Sequence, residues 1–306
     1  MLGIEAIGHY IPAGRISNYD RKEQFAIDDF FIEEKIGVRA VSQKSAAEET
    51  SDLAVAAFRQ LQQQQRCDPA SIETLVVVTQ NPDYNIPHTS AIVHQKLGLP
   101  TSCACFDISL GCSGFVYSLS IITAFMHANG FKRGLLLTAD PYSKIIDKND
   151  KNTTLLFGDG AAATLVSDRP RFVPGRFTFG TQGAEHEKLI CTDGTLFMNG
   201  RAVFNFAAKV IPDDIRRMLA SNDLGIADLD RLLLHQGSKI IVETIAERLQ
   251  IPLAKVPYIT HDYGNTISST IPIMLEAELD GPANIIAVSG FGVGLSWASG
   301  LLRRVS

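Results

Sequence analysis

Tryptophan occurs once and cysteine five times in 306 residues, and no apolar run approaches the roughly 18 to 20 residues that span a bilayer. The cysteines, at positions 67, 103, 105, 112 and 191, are too few and too scattered for a disulfide scaffold. A reduced, cytoplasmic setting is therefore the expectation. A metal site is equally poorly provided for. Cys103-x-Cys105 with Cys112 nearby lacks the paired C-x2-C spacing of zinc sites, and no histidine lies close by at ligand spacing. The opening Met1-Leu2-Gly3-Ile4-Glu5-Ala6 has no basic stretch leading into an apolar core, so it does not read as a signal peptide. A large excess of one charge is also missing. The net charge of −5 leaves no electrostatic footprint for nucleic acid. What remains, 45% hydrophobic and 20% charged, is an ordinary globular composition. The length suits one large domain or two of about 150 residues.

Apolar runs and amphipathic stretches alternate along the chain. Leu75–Val78, Leu135–Leu137, Leu232–Leu234 and Ile285–Val288 are short, continuous and mostly branched, which predicts buried strands. Leu53, Ala57, Phe58 and Leu61 share one helical face, as do Phe115, Leu119, Ile122 and Met126. Strands alternating with helices predict a layered α/β protein with a mainly parallel sheet. Gln62 to Gln65 reads as a solvated helix end. A faint repeat sharpens the picture. Ser71–Val77 resembles Asp228–Leu234, and Phe157-Gly158-Asp159-Gly160 recurs in the same order as Phe291-Gly292-Val293-Gly294. Duplication is the simplest account: an N-terminal half of residues 1–170 and a C-terminal half of residues 171–306, joined near Asp168-Arg169-Pro170.

Four local patterns bear on chemistry. In Leu110-Gly111-Cys112-Ser113-Gly114-Phe115 a cysteine sits between two glycines just before an amphipathic helix. Glycines permit a sharp turn, and a helix N-terminus favours thiolate over thiol. Cys112 reads as a nucleophile at an elbow or as a small buried residue at a tight turn. His235 follows the strand Leu232–Leu234, where α/β proteins place site residues, and a lone histidine there is also compatible with a structural role. Gly264-Asn265-Thr266 before a Ser/Thr-rich stretch reads as a turn with caps. Phe291-Gly292-Val293-Gly294 offers backbone N–H groups for an oxyanion, or close strand packing.

Taken in order, a cysteine elbow, His-Gln after a strand, Gly-Asn-Thr and a C-terminal F-G-x-G resemble the beta-ketoacyl-acyl-carrier-protein synthase III family of the thiolase superfamily, over essentially the whole chain. The resemblance implies a five-layer αβαβα fold of two duplicated α/β halves, and a Cys-His-Asn triad at Cys112, His235 and Asn265. It implies that an acyl-coenzyme A primer acylates Cys112. A malonyl thioester, on acyl carrier protein or coenzyme A, then loses carbon dioxide and condenses with it. The enolate oxygen would be met by His235 and Asn265, if Nε2 of His235 carries a proton, and the acyl oxyanion by the N–H groups of Cys112 and Val293. No bound cofactor, metal, nucleic acid or membrane partner is implied. A homodimer is.

Departures from the family pattern locate the substrate question. Phe31 stands where a tryptophan often stacks on adenine, and Lys35 and Lys151 stand where arginines often flank the nucleotide. After His235-Gln236 come Gly237-Ser238-Lys239-Ile240. Ser238 replaces an asparagine and Ile240 an arginine that docks the carrier protein, with Lys239 and Arg248 as possible compensation. Ile86 lies in a loop that the family sends across the dimer to wall the acyl pocket, together with Phe157 and Phe291. Its modest size implies room for a primer longer than acetyl, up to medium chain. The alternatives are an acyltransferase of the same fold, a non-decarboxylative condensation of two acyl thioesters, or an inactive subunit supporting a catalytic partner. The second normally needs a glutamate base before the elbow. No glutamate occurs between Thr74 and Gly111, and Asp83 is the only acid near the expected loop.

Overall fold

Each of the four branched or leucine-rich runs forms a strand of one mixed sheet in the computed structural model, which describes residues 1–65 and 67–305. Across the sheet the strands run Arg231–Leu234, Ile285–Gly292, Ser296–Arg304, Phe172–Thr181, Gly3–Tyr10, Ala161–Ser167, Arg133–Ala139, Thr74–Val78 and Ala104–Ile108. The order repeats. Reading outward from the middle, Gly3–Tyr10 is followed by Ala161–Ser167, Arg133–Ala139 and Thr74–Val78. On the other side Phe172–Thr181 is followed by Ser296–Arg304, Ile285–Gly292 and Arg231–Leu234. The two series meet in a single pairing, Ile4 with Phe172. Ser71–Val77 and Asp228–Leu234 run into equivalent strands, and Phe157–Gly160 and Phe291–Gly294 each precede an equivalent strand, Ala161–Ser167 and Ser296–Arg304, so the fold has two duplicated α/β halves.

The sheet is not mainly parallel. Thr74–Val78 runs parallel to both its neighbours, and Arg231–Leu234 to Ile285–Gly292. The remaining pairs are antiparallel. Apolar continuity reports burial on both faces and carries no information about direction. In the C-terminal half direction is set by a short turn at Val293–Leu295, which returns the chain as an antiparallel neighbour.

Five layers result. The helix Gly114–Asn129 packs on strands of both halves, and so does the helix Thr270–Glu278, which places these two in the middle. Phe115, Leu119, Ile122 and Met126, the predicted face, are completely buried there. Side chains of this kind each contribute roughly 1.5–3 kcal/mol on burial. Helices Thr50–Gln65 and Thr89–Leu97 cover the outer face of the N-terminal half. Helix Gly200–Ser221, with Lys239–Leu249 against it, covers that of the C-terminal half. Gln63 and Gln64 are exposed at their helix end, and the Gln65 side chain lies outside the described residues. No described helix is long and apolar enough to cross a membrane.

Candidate active site

Cys112 occupies the turn between the strand Ala104–Ile108 and the central helix, with Gly114 N–H closing the turn on the Gly111 carbonyl at 2.8 Å. Close approach leaves little room beside either flanking glycine. A Cβ on Gly111 would sit 2.5 Å from Gln80 Oε1, and one on Gly114 would sit 2.5 Å from Val78 Cγ1. The second half supplies the opposite wall. A Cβ on Gly290 would lie 2.6 Å from the Cys112 carbonyl oxygen, and one on Gly292 would lie 2.6 Å from Cys112 Sγ. The F-G-x-G segment therefore serves close packing, and it also supplies a donor. The backbone N–H groups of Val293 and of Cys112 itself favour the ionised form of the thiol.

Helix-terminus activation of the thiol is overridden. Burial pushes the Cys112 thiol up to about 12, against the pull of the Val293 N–H and with a further push from nearby Asp140. At pH 7 on the order of one thiol in 10⁵ is ionised. At neutral pH the side chain rests as a thiol. Alkylation of Cys112 by iodoacetamide should thus rise about tenfold per pH unit from pH 7 to 10, measured by peptide mass spectrometry with exposed Cys191 as internal control. A plateau below pH 9 would contradict this.

His235 follows directly on its strand, and its N–H donates to the Ser289 carbonyl at 2.9 Å, extending the pairing with Ile285–Gly292. Gln236 fastens the strand end. Its Nε2 donates to the carbonyls of Leu234 (2.9 Å) and Pro257 (3.2 Å), and its Oε1 accepts from Ile259 N–H at 3.0 Å. Asn265 is more than a capped turn. Its N–H donates to the Leu156 carbonyl (2.8 Å), and its carbonyl accepts from Gly158 N–H (3.0 Å), so the Phe157–Gly158 segment of the first half pins it. A Cβ on Gly158 would lie 1.8 Å from the Tyr263 carbonyl oxygen. Asp159 secures that segment by accepting from Lys44 N–H (2.8 Å) and from Ser143 N–H and Oγ (3.1 and 2.5 Å).

Side-chain bonds then set the pair. Asn265 Oδ1 accepts from Ile267 N–H at 2.9 Å, which turns its Nδ2 toward His235 Nε2 at 3.3 Å. Nδ1 of His235 lies 2.9 Å from Thr270 Oγ1, whose hydroxyl reaches the Ile267 carbonyl at 3.1 Å. With an N–H of Asn265 turned toward Nε2, the hydrogen-bond network assigns that nitrogen as acceptor and the ring proton to Nδ1. This differs from the protonated Nε2 that an enolate requires. Burial lowers the imidazole pKa to about 3, so the ring is neutral at physiological pH.

A cavity of about 280 Å³ leads to these groups. Cys112, His235 and Asn265 all line it, with Phe157, Phe291 and Ser238 in its wall and Phe31 and Lys35 also lining it. The Lys151 ammonium sits 4.8 Å from the Phe31 ring centre, and both residues border an adjoining depression with Ala26 and Asp28. Ile240 is part of the wall. Lys239 is already engaged, donating to Glu34 Oε2 at 2.7 Å and to the Glu33 carbonyl, and so does not offer a free charge in place of the arginine. Ile86 does not line the cavity of its own chain. It is 88% exposed, whereas Phe157 and Phe291 are buried in the cavity wall. Asp83 is tied to the N–H and hydroxyl of Ser51 at 2.8 and 2.5 Å.

Three contributors have no recognisable sequence signal. Thr270 belongs to a Ser/Thr-rich run that reads only as a helix start. Ser296 meets Ser113 beside the nucleophile, hydroxyl to hydroxyl at 2.9 Å, across 183 positions of chain. Asp140 is buried near Cys112 and accepts from Gln80 N–H at 2.8 Å, with longer contacts from Asn81, Thr79 and Ser268. Burial nevertheless pushes its carboxyl up to about 7.

The chain is similar to known proteins over its whole length. The family model described as 3-oxoacyl-[acyl-carrier-protein] synthase III matches residues 106–183, and the model of that family's C-terminal region matches residues 219–304. The chain is 31% identical to the beta-ketoacyl-[acyl-carrier-protein] synthase III of Lactococcus lactis subsp. cremoris, covering 98% of each. To that of Deinococcus deserti it is 33% identical, covering 99% of this chain and 91% of the relative. The crystal structure of the Aquifex aeolicus 3-oxoacyl-[acyl-carrier-protein] synthase III superposes with a TM-score of 0.93 at 27% identity, covering 99% of this chain and 100% of that one. The chain belongs to the 3-oxoacyl-[acyl-carrier-protein] synthase III family of thiolase-fold condensing enzymes.

Proposed function

We propose that the chain joins an acyl-coenzyme A primer to a malonyl thioester by decarboxylative condensation, with Cys112 as nucleophile and His235 and Asn265 acting on the second substrate. The observation that carries this reading is convergence. Cys112 lines the same cavity as His235 and Asn265, whose Nε2 and Nδ2 stand 3.3 Å apart, and Gly292 of the second half packs against its Sγ.

In the first half-reaction Sγ adds to the primer carbonyl, and coenzyme A leaves as a thiol with the proton that Cys112 gives up. The N–H groups of Cys112 and Val293 meet the oxyanion, each such donor being worth about 3 kcal/mol. In the second, the malonyl carboxylate departs as carbon dioxide and its bonding pair becomes an enolate. The enolate oxygen is held by His235 and Asn265, and its carbon attacks the acyl carbonyl. The C–S bond breaks, and Cys112 recovers a proton from solvent. A nucleophile, an imidazole and a carboxamide suffice for these steps, with no metal or redox cofactor. Phe31, Lys35, Lys151 and Ser238 are assigned to the coenzyme A end, and Phe157 and Phe291 to the acyl end.

The engagement of Asp83 with Ser51 removes the one acid near the loop that would serve proton abstraction from an acetyl group. A homodimer belongs to the same reading. It is supported by exposed Ile121 and Phe179 next to Tyr117 and by the outward-standing Ile86, which a partner chain would receive in its acyl pocket. Ile86 in that place leaves room for a primer longer than acetyl. Free cysteines suit the cytoplasm. The carrier of the malonyl group is acyl carrier protein or coenzyme A.

Intact-protein mass spectrometry with acyl-coenzyme A thioesters from acetyl to octanoyl should show one acyl addition per chain, fastest above acetyl. Malonyl thioester added next should discharge it with release of carbon dioxide. Acyl loading without decarboxylation would point to an acyltransferase, and much faster loading by acetyl than octanoyl would refute the chain-length assignment.

A further inference from the structure

The two half-reactions ask opposite things of one imidazole, if the roles proposed above for His235 and Asn265 hold. In the resting network Nδ1 carries the proton and donates to Thr270 Oγ1, Thr270 donates to the Ile267 carbonyl, and Asn265 Nδ2 donates to a bare Nε2. An enolate oxygen needs a donor from each of two nitrogens. Nε2 and Nδ2, 3.3 Å apart, converge on one oxygen only if Nε2 bears hydrogen. Nδ1 is then bare, buried, and in need of a donor. The Ile267 carbonyl also faces the ring, and a carbonyl can only accept. A hydroxyl can do either, by rotating about its C–O bond.

We propose that Thr270 is a positioning residue that sets the tautomer of His235. Its hydroxyl accepts from Nδ1 while the cavity holds no acceptor thioester, and donates to Nδ1 when a thioester oxygen lies between Nε2 and Asn265 Nδ2. The change is neutral in charge. One proton leaves Nδ1 and one arrives at Nε2; the two forms exchange with solvent in the free protein, and the acceptor thioester selects the form with hydrogen on Nε2. Nothing is oxidised or reduced, and the Thr270 hydrogen only changes partner, from Ile267 O to Nδ1.

Thr270→Val keeps the shape and removes the hydroxyl, so Nδ1–H turns to the Ile267 carbonyl and Nε2 stays bare. Acyl loading of Cys112, followed by intact mass, should stay within a few-fold of the parent chain. Release of carbon dioxide from malonyl-coenzyme A should fall roughly a hundredfold, the usual effect of losing one such donor. Thr270→Ser should restore it. Nitrogen-15 NMR of ring-labelled histidine should show the His235 proton moving to Nε2 when a non-hydrolysable malonyl-coenzyme A analogue binds the parent chain, and staying on Nδ1 in Thr270→Val. Thr270→Ala serves as the second variant if valine disturbs packing. Decarboxylation retained within threefold in both hydroxyl-free variants overturns the proposal, as does equal loss of both half-reactions or failure of Thr270→Ser to restore. His235→Ala separates the two readings. If it leaves decarboxylation intact, the assignment of His235 itself fails. If it abolishes decarboxylation while Thr270→Val does not, only the tautomer role fails.

Discussion

A chain carrying Cys112→Ala is expected to gain no mass from any acyl-coenzyme A and to make no condensation product. The substitution removes one sulfur atom from a site already walled by Gly290 and Gly292, so no backbone has to move. What disappears is the one thiol that lines the cavity with His235 and Asn265. Loss of the nucleophile in covalent enzymes that act through a coupled unit costs on the order of 10⁶ in kcat, which puts condensation below detection. Intact mass after incubation with octanoyl-coenzyme A, together with chromatographic assay of the beta-ketoacyl product, decides the matter. An adduct that persisted would move the acylation site to another thiol, with exposed Cys191 the first to test.

Asn265→Ala should divide the reaction at its middle. Acyl loading should survive, because the fold at this position depends on backbone bonds to Leu156 and Gly158 that any residue can make. Release of carbon dioxide from the malonyl thioester should drop about 10²–10³-fold, corresponding to about 2.7–4 kcal/mol of stabilisation for the developing enolate oxygen. The substitution also strips the Ile267 N–H of its acceptor in a buried place, which costs roughly 1–3 kcal/mol of stability. The assay is therefore best run well below the melting transition, with single-turnover carbon dioxide release measured on pre-acylated protein. Decarboxylation at the parental rate would remove Asn265 from the machinery.

Local pattern made some of this legible. Leu232–Leu234 and Ile285–Val288 are recognisable as strands because burial on both faces forces unbroken branched residues, and His235 inherits a meaningful position from the first of them. Cys112 is visible because two glycines and a helix face surround it within a few residues. Strand direction was not legible, since apolar runs look alike whichever way the neighbour points. The protonation state of Cys112 is not legible either, for a related reason. The helix start that favours thiolate is local, whereas the burial that outweighs it comes from Gly290 and Gly292, far along the chain. Lys239 shows the same limit. Its sequence position suggests a free cation, but a glutamate about two hundred residues earlier has already claimed it. Thr270 and Ser296 become meaningful only through the hydroxyl or ring nitrogen that each faces.

One feature of the elbow reaches beyond catalysis. The two N–H groups that favour the Cys112 thiolate come from opposite halves of the duplicated chain, Cys112 from the first and Val293 from the second, and Asn265 is held in place by Leu156 and Gly158 across the same divide. Cys112 belongs to the first half and His235, Asn265 and Val293 to the second, so the reaction centre is complete only once both have been synthesised and packed together. Competence appears only when the second half docks. Activity in a folding experiment is then a readout of that docking, and a split chain expressed as two fragments would regain acyl transfer in step with their association.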